Sequence, residues 1–83
     1  MRFRSEDSYQ PGEKLFYHED GEVDRVAVVS NNCDADWIKY ELEVLEVVKK
    51  SRIFNPATPG EVFECSRRRV GGGIAGMWSL TED

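Results

Sequence analysis

The stretch of sequence that decides the fold is WIKYELEVLEVVKK, residues 37–50. From residue 38 to residue 44, apolar side chains occupy the even positions and charged side chains the odd ones. An alternation with period two is typical of a β-strand that has one buried face. At Leu45 the alternation slips by one residue, which a β-bulge would explain. We therefore predict a long strand with a bulge.

A helix over residues 36–50 is the alternative interpretation of the same stretch. Asp34 or Asp36 would cap its first turn, and the lysines at positions 49 and 50 would suit its last turn. In that helix, however, Glu41 would fall inside the apolar arc, and the segment is rich in the Val, Ile, Tyr and Trp residues that strands favour. The sequence favours the strand, and an α+β domain with a helix at residues 36–50 stays open.

The segments on either side also predict strands. Upstream, Asp20-Gly21 separates the apolar residues 15–17 from the valine-rich residues 26–29, and Asp-Gly is a strong signal for a hairpin turn. Downstream, residues 61–65 and 75–80 are two further apolar segments. Because closing a small sheet removes its exposed edges, we predict a mostly β fold, a small five- to six-stranded antiparallel barrel or curled sheet.

The chain of 83 residues is long enough for one core only. Residues 1–10 are charged and irregular, and Pro11-Gly12 follows them as a turn signal. We predict a flexible N-terminal arm at residues 1–10, a single small β domain at residues 11–80 and a solvated tail at residues 81–83.

The net charge of −5 is concentrated in the first half, where residues 1–46 carry 12 acidic and 5 basic side chains. An acidic surface repels phosphate groups, so binding of nucleic acid is disfavoured. No apolar run is long enough to span a membrane, and no apolar segment of a secretory signal follows the charged N-terminus. With two cysteines and no C-x-x-C pair, the sequence predicts a cytoplasmic location.

Several features follow one another in a recognisable order: a glycine, a short strand, an Asp-Gly turn, a valine-rich strand and Tyr-x-Leu. They are Gly12, Tyr17, Asp20-Gly21, residues 26–29 and Tyr40-Glu41-Leu42. In this order, residues 11–69 resemble the Tudor-like and agenet-like members of the Src-homology-3-like small β-barrels. The resemblance implies a module that binds short peptide segments, in some members through an aromatic cage around methylated lysine or arginine. On this resemblance, Tyr17, Trp37 and Tyr40 would supply the rings.

Three consecutive arginines, Arg67, Arg68 and Arg69, are the main basic feature. Guanidinium groups bind phosphate or carboxylate through two parallel hydrogen bonds, so this cluster is a candidate site for acidic groups. In a strand, Arg67 and Arg69 would point to one side and Arg68 to the other. The alternative, which we favour, is that the arginines pair with the acidic N-terminal half of the chain.

No combination of residues indicates catalysis. His18 is the only histidine and lies in a polar turn, where we expect a solvated side chain rather than a general base. Cys65 falls on a predicted strand, where a free cysteine acts as a small core residue. Ligand spacings typical of zinc or calcium are missing. We predict no enzyme activity, no cofactor and no metal.

The sequence therefore predicts a non-enzymatic module that binds a protein or peptide. Its predicted contact residues are Tyr17, Trp37, Tyr40, Arg67, Arg68 and Arg69. Two alternatives stay open. One is a small acidic decoy or inhibitor that presents acids between positions 19 and 43 to a basic partner. The other is a nucleic-acid-associated module that uses residues 67–69. An open strand edge would also allow a homodimer.

Overall fold

The computed structural model describes residues 6–51, 57–69 and 78–83. In these ranges all regular structure is extended, as the strands β1 (Lys14–Glu19), β2 (Glu22–Asn31), β3 (Trp37–Lys49), β4 (Val62–Arg68) and β5 (Trp78–Glu82). They form one antiparallel sheet in the order β4-β3-β2-β1-β5. The sheet curls strongly into a half-barrel, which confirms the prediction of a mostly β fold.

Strand β3 settles the choice between strand and helix. It runs for 13 residues, and its buried side chains alternate with more exposed ones from Ile38 to Val44. The helical alternative at residues 36–50 is wrong. In the strand, Glu41 lies on the more exposed face, opposite to the face that buries the apolar side chains. A helix would have placed Glu41 among those apolar side chains. Within the described ranges, no helix has the length and apolar character needed to cross a bilayer.

The bulge predicted at Leu45 is present in the pairing of β2 with β3. Val26 lies opposite Val44 and Arg25 lies opposite Glu46, so Leu45 is the extra residue on β3. A second register shift between Val28 and Ser30 leaves Val29 as an extra residue on β2. An extra residue on one strand bends it and increases the local twist. These shifts therefore help a long ribbon to curl into a half-barrel.

The predicted hairpin joins β1 to β2 through a two-residue turn. Asp20 and Gly21 both have positive φ, 51° and 81°, and Glu19 lies opposite Glu22. Turns with positive φ at both central residues match the right-handed twist of the flanking strands, and glycine adopts such a φ without steric cost. The Asp-Gly signal in the sequence is thus confirmed by the backbone.

The core lies on the inner face of the curled sheet. It consists of the side chains of Tyr9, Leu15, Tyr17, Val26, Val28, Ile38, Tyr40, Leu42, Cys65, Trp78 and Leu80. All but Tyr9 belong to strands, and most sit at alternate positions, as the period of two requires.

Tyr9 corrects our expectation for the N-terminal arm. Of residues 1–10, residues 1–5 lie outside the described residues, but residues 6–8 are half-buried and Tyr9 belongs to the core. Tyr9 is buried in the core, and the Asn31 Nδ2 donates hydrogen bonds to the carbonyl oxygens of Asp7 at 3.0 Å and of Tyr9 at 2.8 Å. The C-terminal tail differs as well, because β5 extends to Glu82 and Asp83 forms a 2.7 Å ion pair with Arg25.

Strands β4 and β5 are the two edges of the sheet, and side chains bridge the gap between them. The Trp78 Nε1 donates a 3.0 Å hydrogen bond to the Ser66 carbonyl oxygen. The Arg67 guanidinium donates a 2.8 Å hydrogen bond to the Trp78 carbonyl oxygen. In the part of the chain that the structure describes, the gap between β4 and β5 is thus bridged by two side chains rather than by a ladder of backbone hydrogen bonds.

Candidate functional site

The three consecutive arginines take different roles, beginning with two that are held by the N-terminal segment. Arg67 faces inward, with its guanidinium 4.9 Å from the centre of the Trp78 ring and an ion pair to Glu6. Arg69 pairs with Asp7 at 2.6 Å. The prediction that arginines pair with the acidic N-terminal half is confirmed for these two residues.

Arg68 is presented to solvent instead. It lies opposite Trp37 in the β3–β4 register, and its guanidinium is 5.6 Å from the centre of the Trp37 ring. Within the described ranges no carboxylate pairs with it. The structure therefore does not join the three arginines into one cationic patch, because period two turns Arg68 away from its neighbours. Their predicted role in binding stays a prediction, with Arg68 the member that a partner can reach.

The predicted aromatic residues are likewise separated. Trp37 is 36% exposed, whereas Tyr17 and Tyr40 are 4% and 0% exposed. Trp37 and Tyr40 are three positions apart on β3, so their side chains leave opposite faces of the sheet. The structure does not bring the three rings together at one surface, and the expectation of a shared cage is corrected to a single exposed ring, Trp37.

Tyr17 belongs to an aromatic cluster inside the half-barrel. Its ring stacks on Trp78 at a centroid distance of 5.9 Å and meets the edge of Phe63 at 5.0 Å. Its hydroxyl donates a 2.8 Å hydrogen bond to Glu19. Offset and edge-to-face ring pairs of this kind add packing energy to a core. Tyr17 therefore connects β1 with both edges of the sheet.

Tyr40 attaches the N-terminal segment to the centre of the sheet. Its hydroxyl donates a 2.6 Å hydrogen bond to the Glu6 carbonyl oxygen and accepts one from the Tyr9 N–H at 3.2 Å. Burial raises the pKa of the Tyr40 phenol well above its ordinary value. The protonated hydroxyl is the form that can donate to a carbonyl, so the environment and the hydrogen bond favour the same state.

The turn before β3 holds Trp37 in place. The Asp34 carboxylate accepts hydrogen bonds from the N–H groups of Asp36 and Trp37, both at 2.8 Å. These two bonds are the main cause that lowers the pKa of Asp34. The Asp34 N–H in turn donates to the Trp37 carbonyl oxygen at 2.9 Å. The backbone beneath the exposed ring is therefore fixed by a short polar turn, whose Asp and Asn residues are visible in the sequence.

Acidic residues are divided between the interior and the outer surface. Glu22 and Asp24 are each only 1% exposed, so they cannot take part in the acidic array that a decoy would present. On the outer face of β3 and β4, Glu41 lies directly opposite Glu64, and Glu43 lies opposite Val62. The outer acidic patch (Glu41, Glu43 and Glu64) is therefore smaller than the sequence suggested.

The side of β4 that faces away from β3 is a feature that sequence reasoning missed. No strand pairs with it in the described parts of the chain. Val62 is 53% exposed, and Glu64, Ser66 and Arg68 are exposed as well. The sequence signalled a strand here but carried no signal that β4 would end at an edge, since that depends on how the sheet closes.

The structure shows the surroundings of the cysteine and the histidine that the sequence analysis considered for catalysis, Cys65 and His18. Burial raises the pKa of the Cys65 thiol to about 12, which suppresses the thiolate that reactivity requires. The His18 Nε2 lies 2.9 Å from the Thr81 hydroxyl. Among the described residues, no group of three or more His, Cys, Asp and Glu side chains is placed to hold a metal ion.

The Trp37–Arg68 pair thus forms an exposed contact between a ring and a cation, next to the outer acidic patch and the open side of β4. Comparisons of the chain with protein-family models, curated proteins and solved structures found no match.

Proposed function

We propose that this protein is a non-enzymatic interaction module that binds a protein or peptide segment through the Trp37–Arg68 pair. One observation carries the proposal: an exposed tryptophan ring lies beside an exposed arginine that forms no ion pair within the described ranges. Tryptophan and arginine dominate the binding energy of protein interfaces. A guanidinium next to an indole can also keep its donors free for a partner's carboxylate or carbonyl groups.

The hydrogen bonds and strand pairing beneath the site support the same proposal. Trp37 begins β3 on a turn that is fixed by the Asp34 carboxylate, and Arg68 lies in β4 directly opposite. A partner would therefore meet two side chains whose backbone is already ordered. Less conformational entropy is then lost on binding, which strengthens affinity without additional contacts.

A cytoplasmic location accompanies this proposal. Both Cys33 and Cys65 are free thiols, and Cys65 is buried. Free thiols are the ordinary state of cysteine in a reducing compartment. We include the cytoplasm in the proposal on this ground.

Selection of peptides on the folded protein would test the proposal. Peptides selected from a random library on the wild type should bind the Trp37→Ala variant at least about tenfold more weakly, a loss of about 1.4 kcal/mol. Val48→Ala is the matched control, because Val48 is also exposed and lies at the far end of β3. Its affinity should equal that of the wild type.

The stability of the Trp37→Ala variant decides how that result is interpreted. Because the ring is partly exposed, its removal should lower the free energy of unfolding by no more than about 1 kcal/mol. Equal affinity of the wild type and a folded Trp37→Ala variant would contradict the proposal. So would unfolding of the variant, since that would make Trp37 a core residue.

Salt dependence separates the proposed module from an acidic decoy. Binding anchored by an aromatic side chain should persist when the ionic strength is raised to about 1 M, where the Debye length is about 3 Å. Binding that depends on arrays of exposed charges should collapse under the same condition. A complete loss of affinity would favour the decoy.

A further inference from the structure

We propose that the N-terminal half of β4 accepts an extended, positively charged segment of a partner protein, which adds to the sheet as a further strand. This inference rests on the proposed interaction function and names the chemistry of the partner. It depends on the direction of the backbone groups of β4, on the exposure of its residues and on the charge of the adjacent surface.

The direction of the backbone groups follows from two hydrogen bonds at the ends of β4. The Val44 N–H donates to the Glu61 carbonyl oxygen at 2.8 Å, and the Arg69 N–H donates to the Asp36 carbonyl oxygen at 2.9 Å. In an antiparallel pair, backbone groups point towards and away from the partner strand at alternate residues. The odd-numbered residues of β4 therefore bond to β3, and Val62, Glu64, Ser66 and Arg68 direct their N–H and C=O groups outward.

Only the first half of this outward row is open. The Ser66 carbonyl oxygen already accepts a hydrogen bond from the Trp78 Nε1 at 3.0 Å, so an added strand cannot bond to it without displacing Trp78. Within the described ranges, the outward N–H and C=O groups of Val62 and Glu64 and the N–H of Ser66 have no hydrogen-bond partner. A strand that pairs with these groups is the recognised mode of β-strand addition.

The charge beside this open half indicates which strand would fit. Glu41 and Glu64 lie directly opposite each other, and Glu43 is opposite Val62, with no cationic partner for these carboxylates in the described residues. Like charges in directly opposite positions destabilise a sheet. An added strand with lysine or arginine beside Glu64 would relieve that repulsion. On the same face of that strand, the aliphatic stem of a second lysine, two residues along, would cover Val62, which is 53% exposed.

A second copy of the chain fits the open half less well. Each copy has a net charge of −5, and an antiparallel pairing centred on Glu64 would place two copies of this carboxylate face to face. A charged side chain on an edge strand is also a common device against self-pairing. The arrangement therefore favours a cationic partner over a homodimer.

A synthetic peptide that alternates lysine and valine is the probe for this inference. Its binding, measured by fluorescence anisotropy, should exceed that of a matched peptide alternating glutamate and valine by at least about tenfold. N-methylation of the alternate residues that face β4 removes backbone donors and keeps the peptide charge, and should weaken binding at least about tenfold. Equal binding of the methylated peptide would overturn strand addition.

Variants of the protein locate the site. Glu64→Lys should weaken binding of the lysine-valine peptide at least about tenfold, whereas Glu46→Lys should not, although it makes the same change of charge. Glu46 lies beyond the part of β3 that pairs with β4. Hydrogen exchange at the N–H groups of Val62, Glu64 and Ser66 should become slower when the peptide is bound. Unchanged exchange there would contradict the inference even if the peptide bound elsewhere.

Two further outcomes are informative. A dimer of the wild type that becomes a monomer in Glu64→Lys, seen by analytical ultracentrifugation, would overturn the inference in favour of self-pairing. Trp37→Ala separates this inference from the proposed function. If Trp37→Ala abolishes binding of the library-selected peptides and the lysine-valine peptide shows no strand addition, the proposed interaction module is supported and the proposed site on β4 is contradicted. If Glu64→Lys alters binding and Trp37→Ala does not, the proposed role of Trp37 is contradicted instead.

Discussion

The two faces of the paired strands β3 and β4 carry side chains with different roles. On the inner face, Tyr40 lies opposite Cys65, and Leu42 lies opposite Phe63, among side chains that are buried or half-buried. On the outer face, Trp37 meets Arg68 and two glutamates confront each other. The inner pairs contribute to stability through packing, whereas the outer pairs keep side chains exposed that contribute little to it.

The arginines of β4 show the same difference within two adjacent residues. Arg67 has an aromatic ring, a carbonyl oxygen and a carboxylate as partners, whereas among the described residues Arg68 contacts the ring of Trp37 and no carboxylate. Adjacent positions of a strand face opposite sides, so identical side chains experience different surroundings. The contrast shows that consecutive basic residues in a strand should first be separated into odd and even positions, because these face opposite sides of the sheet, before a function is assigned to them.

The largest effect on this comparison should come from the centre of the inner face. Leu42 is fully buried, so Leu42→Ala should lower the free energy of unfolding by about 2–5 kcal/mol through lost burial and a residual cavity. Lys39→Ala, on the outer face of the same strand, should change it by no more than about 0.5 kcal/mol. Urea denaturation followed by tryptophan fluorescence measures both. Similar losses for the two variants would contradict the division of the faces.

The adjacent arginines provide the next test. Arg67→Ala should destabilise the fold by about 1.5–3 kcal/mol, because it removes charge-assisted hydrogen bonds and takes the cationic partner away from the Glu6 carboxylate. Arg68→Ala should lie within about 0.5 kcal/mol of the wild type, since an exposed cation beside a ring contributes little. Thermal unfolding of the two variants at equal ionic strength would check this. A destabilised Arg68→Ala variant would make Arg68 structural.

At alkaline pH, the buried Cys65 thiol on the inner face should make the stability of the fold depend on pH. The pKa of Cys65 rises from an ordinary 9.0 to about 12, so above about pH 9 the unfolded chain releases a proton that the folded chain retains. The unfolded state then binds fewer protons, and stability should fall with rising pH by up to about 1.4 kcal/mol per unit. Below the ordinary pKa, this group should contribute no pH dependence.

Denaturation at a series of pH values in the wild type and in Cys65→Ala measures this effect. The variant should show a shallower decline between about pH 9 and 10, because only the thiol is removed. The Tyr40 phenol, whose pKa is also raised, adds to the decline at higher pH in both proteins. Equal slopes would show that Cys65 titrates in the folded protein as it does in the unfolded chain.

The smallest expected effect concerns the outer glutamates. Glu64→Gln removes one of two like charges in directly opposite positions and should stabilise the fold by about 0.2–1 kcal/mol at low salt. Added salt should reduce the gain, because exposed charges are screened. Glu46→Gln is the matched control and should show no such gain. A destabilised Glu64→Gln variant would mean that this carboxylate has a structural partner.

Local patterns in the sequence were sufficient for much of the fold. Alternation identified β3, Asp20-Gly21 identified the hairpin, and the slip at Leu45 identified the bulge. Each of these signals involves residues close together in the chain, where strand period and turn chemistry determine the conformation directly.

The candidate site was less accessible to the same reasoning. The alternation of side chains along a strand separates Arg68 from Arg67 and Arg69. The same alternation places Trp37 and Tyr40 on opposite faces of β3, contrary to the expectation that their rings share one surface. The open half of β4 carries no local signal, because an edge is defined by the absence of a neighbouring strand.

The sequence by itself therefore determined the strands, their faces and their turns, since these depend on near neighbours in the chain. Only the tertiary structure decided that Tyr9 enters the core, that Glu6 meets both Arg67 and the Leu80 N–H, and that β4 is an edge strand of the sheet that the described residues form. The physical reason is distance along the chain. Glu6 and Leu80 are 74 positions apart, and contacts of that span arise from the closure of the whole sheet rather than from any local pattern.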